Sequence, residues 1–315
     1  MQVELDSAES LLATFSRKKS KLLFRGERTV RELVPSAFRG PGQDYYHGKL
    51  RKDTVQEYAQ IINELDVIYK LSSIRLPNLN KIDNPVTSIL SNPFEKQRHA
   101  SMKLFIEQVL PVWFPRFESS FEFIALAQHY GIPTRTIDWT PDLWTALQFA
   151  ASGTLPHVTH SLELENFEQI RKDKMVIWEF DQDKFNVLKK DNIHLRLLKF
   201  GQPDYDINPN ARAQQGHISY IEKSAPYNDP VDKTPLDQYL SNCGAPELLK
   251  QYLIPTIECV KILEYLDELG FTSKDLFPGE HGEVKAVNDS RNRDRFSRVF
   301  FEKRLKYPDL EQRLI

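Results

Sequence analysis

The sequence predicts an α+β fold. Helical periods and strand-like alternations follow one another as helix, strand, helices, then mixed strands and helices, without a regular βαβ repeat. Strand signals concentrate after residue 173. No internal repeat and no shift of composition divides the chain.

The first element is a short amphipathic helix over 7–20. Ser7 can cap it, and Leu11, Leu12 and Phe15 share a face. Residues 21–26 (KLLFRG) read as a strand ending at a glycine. Residues 52–72 read as a helix, with Tyr58, Ile61, Ile62, Leu65 and Ile68 at helical spacing. A Pro- and Asn-rich stretch over 76–93 reads as loop or short turns, and 94–110 as a further helix stopped before Pro111. Ser119 or Ser120 can cap a helix through Phe121, Ile124, Ala125 and Leu126. It ends at Tyr130, with Gly131 past the end and Pro133 beyond.

Residues 134–139 (TRTIDW) alternate like a strand. Thr140 then reads as an N-cap, Pro141 as the first helical residue, and Asp142 suits the positive helix end. That helix carries Leu143, Trp144, Leu147, Phe149 and Ala150. Strands are expected at 175–180, 194–198 and 217–222, and a helix over 258–269 closed by Gly270. The stretch 291–306 holds seven Lys or Arg and two acids. A solvated helix face is its plainest reading.

The chain has 315 residues, 40% of them hydrophobic and 27% charged, which is the composition of a globular protein able to bury a core. A net charge of −2 supplies no overall field toward nucleic acid or membrane. Two cysteines, Cys243 and Cys259, make neither a disulfide framework nor a Cys-only metal site, and a reducing compartment is expected. The first residues do not resemble a signal peptide, and no run approaches ~18 apolar residues. A cytoplasmic protein away from membranes is the expectation. The glycine-rich phosphate loops, the G-x-S-x-G elbow and the H-E-x-x-H zinc motif are all missing. This argues against P-loop NTPases, Rossmann dehydrogenases, α/β-hydrolases and zinc enzymes, and no metal site is expected.

Three segments place polar residues where a core does not need them. Phe24-Arg25-Gly26 ends a strand in a guanidinium, whose planar fork suits phosphate, and in a glycine that lets a ligand approach. The plain alternative is an exposed strand end paired to Glu27. The second segment, Gln128 to Thr140 (QHYGIPTRTIDWT), packs a helix end, a turn, a strand and a helix start into thirteen residues. Its helix start offers free N–H groups to an anion. The plain alternative is that Gln128 and His129 satisfy the carbonyls ending their helix. The third, Arg212-Ala213-Gln214-Gln215-Gly216, leads into a strand, where buried amides need partners; a solvated loop is its alternative.

Together these residues resemble the FRG domain family, named for its (F/Y)-R-G motif. The likeness runs from Phe24-Arg25-Gly26 through QHYGIPTRTIDWT and the Arg212 to Gly216 element to LEYLDELGFTSKDLFPG. It divides the chain into an N-terminal helix (1–21), the domain (22–290, with a helical insertion over about 50–118) and a basic C-terminal helix (291–315).

A more distant resemblance, to ADP-ribosyltransferases of the toxin and phage-defence type, implies a split β-sheet core and NAD as substrate. It implies that Arg25, Gly26, Thr134, Arg135 and Arg212 bind NAD, that Tyr130 or Trp139 stacks on nicotinamide, and that His129, Asp138 and Gln215 serve catalysis. The third motif lacks the usual glutamate and leaves its role unassigned: Asp138 could serve instead, Glu222 sits further along the strand, and Gln215 would bind without offering a charge. The implied setting is antiphage defence or a toxin–antitoxin pair. The implied acceptor is a macromolecule, RNA before protein, and an antitoxin or chaperone is the implied partner. Two other readings stay open: a non-catalytic nucleotide- or RNA-binding module, and a ribonuclease-type toxin.

Overall fold

Among the described residues, one backbone bridge joins two β-sheets in the computed structural model. It describes residues 1–15, 21–39, 97, 100, 124–125, 127–128, 131–203, 205–206, 208–221 and 233–314. The helices and loop expected over 52–110, and the helical insertion as a whole, lie outside the described residues apart from 97 and 100, which are helical.

The strands are β1 (Gln2–Glu4), β2 (Leu22–Glu27), β3 (Ile137–Trp139), β4 (Lys174–Asp181), β5 (Leu198–Gly201), β6 (His217–Ile221) and β7 (Leu249–Pro255). The first sheet has the order β1-β7-β4-β2, with β1 parallel to β7 and the other pairs antiparallel. The second, β3-β6-β5, is antiparallel throughout. The backbone bridge between the two sheets is Phe24 with Thr140. The Phe24 N–H donates to the Thr140 oxygen at 2.6 Å, and the Thr140 N–H returns a bond to Phe24 at 2.9 Å.

The helices that matter for the site are α1 (Ala8–Phe15), α2 (Leu143–Glu163), α3 (Pro209–Ala213), α4 (Cys259–Glu268), α5 (Ser273–Leu276) and α6 (Glu280–Lys306). One face of the first sheet packs on α2, with Phe24, Ile177 and Ile254 meeting Ala146, Ala150 and Leu155. The other face joins the second sheet through Trp139, Phe180 and Phe200. The Phe180 and Phe200 ring centroids stand 4.7 Å apart. Helix α6 lies along α2 and buries Phe296 there. Glu165, just past α2, takes bonds from Lys303, Lys306 and Tyr307, which hold its carboxyl down to about 2.

Several expectations hold and several are corrected. The turn after Gln128 forms as read: Gly131 has φ +76°, and Ile132 donates back to Ala127 at 3.0 Å. Helix α2 starts at Leu143, with Asp142 as its cap, rather than at Pro141 behind Thr140. The Thr140 backbone bridges to Phe24 and its hydroxyl accepts from the Asp142 N–H, one turn short of the helix, while the Asp142 carboxylate accepts from Trp144 and Thr145. The anion site expected at that helix start is therefore already filled by this side chain. Residues 195–197 form a 3-10 turn and the strand begins at Leu198, because the Asn192 side chain accepts from His194 and Leu195. The sequence reading had no counterpart for β7, a central strand. Helix α6 runs unbroken from Glu280 across residue 290.

Candidate functional site

Beyond the Phe24–Thr140 bridge, β2 and β3 part, and the gap opens into a cavity of about 300 Å³. This lies at the small end of the roughly 300–1,000 Å³ range of ligand pockets, a scale that suits one nucleotide better than two. Arg25, Gly26, Asp138 and Thr140 stand on its strand walls, Phe149 on α2, and Phe277 just past α5.

The period of two along β2 sorts its side chains. Leu22 and Phe24 join the core on the α2 side, and Leu23 joins the opposite core, so Arg25 and Glu27 extend on the side of Leu23. Gly26 faces α2. A Cβ there would lie 1.8 Å from the Ala146 carbonyl oxygen and 3.0 Å from the Ala150 nitrogen. The missing side chain makes room for that helix, and the Gly26 backbone stands on the cavity wall.

The same period sorts the backbone. Phe24 spends its N–H and C=O on Thr140, so two residues on, Gly26 directs both groups the same way. There the pairing has stopped and the cavity begins. A donor and an acceptor of one residue thus stand side by side at the split.

Arg25 crosses the split. Its Nη1 donates to the Asp138 backbone oxygen at 3.1 Å and lies 3.9 Å from the carboxylate. Its Nε donates to Glu27 at 2.8 Å. Arg31 donates to the other Glu27 oxygen at 2.6 Å, and Arg39 stands 3.7 Å away. The Glu27 side chain is only 2% exposed. Burial works against its charge, but the three guanidinium groups overcome it and hold the carboxyl below the usual range.

Asp138 opens on the cavity, with 57% of its side chain accessible. The protein crowding around it pushes its carboxyl upward, against the pull of Arg25, Arg39 and the Gln128 amide. Gln128 donates from Nε2 to Asp138 Oδ2 at 2.6 Å. The Gln128 oxygen accepts from Thr136 at 2.5 Å and from Thr134 at 3.2 Å.

Of the residues singled out in the sequence, Arg25, Gly26 and Asp138 meet at the cavity, and Thr134 reaches it through Gln128. Trp139 is at the wall, but its ring packs 5.8 Å from Phe180 and its Nε1 donates to Ser219 at 2.8 Å, which gives it to the core. Arg135 is buried away from the cavity wall. Arg212 pairs with Asp206 at the surface, and Gln215 is an exposed turn residue with φ +48°. Neither lines the cavity. His129 and Tyr130 lie outside the described residues.

Sequence reasoning passed over Phe149, Phe277 and the role of Gln128. The two phenylalanines meet edge to face at 5.9 Å. Nothing in the local pattern marks Phe277 as a wall residue. Gln214 was flagged as an amide in need of a partner, and it donates to the Leu276 oxygen at 3.0 Å beside the cavity. Among the described residues no group of His, Cys, Asp and Glu is arranged to hold a metal ion. Among them, too, no helix is long and apolar enough to cross a membrane.

No curated protein and no solved structure matches the chain. Residues 20–158 match the family model of the FRG domain. These residues supply β2, β3 and the first turns of α2, the three elements that converge on the split, and the chain carries an FRG domain there.

Proposed function

We propose that the cavity takes the nicotinamide half of NAD and that the protein is an ADP-ribosyltransferase acting on a macromolecule. The observation that carries this reading is the Gly26 backbone. An N–H and a C=O directed together into the split complement a primary carboxamide, which offers one acceptor and one donor. The Phe149–Phe277 pair gives a planar ring an apolar wall on the side of α2. Arg25 offers a guanidinium within reach of phosphate oxygens. Breaking the nicotinamide–ribose bond releases nicotinamide and leaves positive charge on the ribose, which an acceptor atom then attacks. Asp138 is the carboxylate on the described wall placed to oppose that charge.

The basic stretch 291–306 does not by itself recommend a nucleic-acid acceptor. Arg293, Arg295, Lys303, Arg304 and Lys306 spend their charge on Asp267, Glu163, Glu165 and Glu311. RNA in a defence or toxin–antitoxin setting remains the acceptor we propose, on the resemblance alone. The deciding experiment incubates purified protein with labelled NAD and cell lysate, followed by nuclease or protease. Nuclease-sensitive label supports the proposal in full, and protease-sensitive label moves the acceptor to protein.

A second reading is a nucleotide-binding module without turnover. It is favoured by Asp138, whose carboxylate is already engaged by Gln128 and Arg25. Saturable NAD binding with no nicotinamide release would select it.

A further inference from the structure

Thr134, Thr136 and Asp138 alternate along one side of the chain entering β3, with Ile137 and Trp139 on the other. The two threonines are fully buried. Their hydroxyls lie 2.7 Å apart and both reach the same atom, Gln128 Oε1. The ionised Asp138 carboxylate only accepts, which settles which end of the amide faces which neighbour, and the hydroxyls supply a donor for the other end. The oxygen turns to the hydroxyls, so the NH₂ turns to Asp138 Oδ2. The reversed amide would set an oxygen against an ionised carboxylate. Among the described residues the hydrogen bond to this carboxylate falls on Oδ2, and Asp138 itself stands on the cavity wall.

We propose that Gln128 is a positioning residue for Asp138: the buried Thr134–Thr136 pair orients its amide, and the amide orients the carboxylate toward bound ligand. The proposal rests on the reading of this cavity as the functional site. Other charged groups facing Asp138 are Arg25 on β2 and Arg39, with Glu27 between them. None of them replaces the neutral donor at Oδ2. Losing that donor removes a bond that is stronger to the ionised form than to the neutral acid, so Asp138 holds its proton to higher pH.

The test is the titration of Asp138, followed by carbon NMR of carboxyl-labelled aspartate in the full chain and assigned with Asp138→Asn. In Gln128→Leu the midpoint is expected to rise by about one pH unit, the scale of a hydrogen bond to a charged group. Thr136→Val, which frees the amide to turn, is expected to raise it in the same direction, and Thr136→Ser, which keeps the hydroxyl, to restore it. These paired variants serve where Gln128→Leu does not fold. A purely structural role predicts a lower melting temperature with the Asp138 midpoint unmoved, and that result overturns the proposal. Affinity for nicotinamide mononucleotide is measured on the same samples. If the wild type does not bind it, the NAD reading fails, while the titration still decides the positioning role.

Discussion

Arg25 and Asp138 face one another across the split between β2 and β3, with the guanidinium 3.1 Å from the backbone oxygen and 3.9 Å from the carboxylate. The two residues are 113 positions apart and belong to different sheets.

Arg25→Ala is expected to weaken binding of nicotinamide mononucleotide at least tenfold, since a charge-assisted hydrogen bond contributes about 1.5–3 kcal/mol. Stability should change less, because Glu27 keeps Arg31 and Arg39. Arg25→Lys should not restore binding, for an ammonium cannot reach Glu27 and Asp138 with one planar fork. Calorimetric titration checks both variants.

Glu27→Gln leaves three guanidinium groups around a neutral amide. A loss of about 3 kcal/mol is expected in urea unfolding at neutral pH. The pH dependence has a definite sign. The folded-state pKa of Glu27 lies below its unfolded value, so its contribution is complete above the unfolded value of about 4.3. That contribution disappears as pH falls through the lower folded value. The acid limb of the stability curve should therefore be shallower in Glu27→Gln than in wild type.

Gly26→Ala should be among the most damaging single methyl additions in the chain, because the new carbon meets backbone 1.8 Å away. The expected cost is about 3 kcal/mol, read from thermal unfolding. Ala146→Gly should not rescue it, since the obstruction is the carbonyl of residue 146 and not its side chain.

Asp138→Asn should bind nicotinamide mononucleotide more weakly yet melt slightly higher at pH 7. The folded-state pKa of Asp138 is raised, so the ionised group costs stability above that value and costs nothing below the unfolded pKa of about 3.9. Because the side chain opens to solvent, the gain should be only about 1–2 °C. It should vanish as the wild type is acidified, a comparison that differential scanning calorimetry makes directly.

Local chemistry determined much of this protein from the sequence by itself. Leu22 to Phe24 had to be a strand, because consecutive apolar residues before Arg-Gly suit burial on both faces. The helix ending before Gly131 had to stop there, because a residue at φ +76° falls to glycine. Arg25, Gly26 and Asp138 stood out as polar or small residues in otherwise apolar segments, and all three reach the cavity.

Only the tertiary structure decided the rest, because those features depend on partners remote in sequence. Strand β7 exists through its pairing with β1 and β4, far away along the chain. The Thr140 backbone bridges to Phe24, more than a hundred residues earlier, its hydroxyl accepts from the Asp142 N–H, and Asp142 caps the helix. The space beside the Gly26 Cα is taken by α2, and Trp139 went to the core once Phe180 and Phe200 closed on it. Gln128 shows the division most plainly. Its place at a helix end was readable from the turn that follows, but which way its amide faces was set by two buried hydroxyls and a carboxylate that only folding brings together.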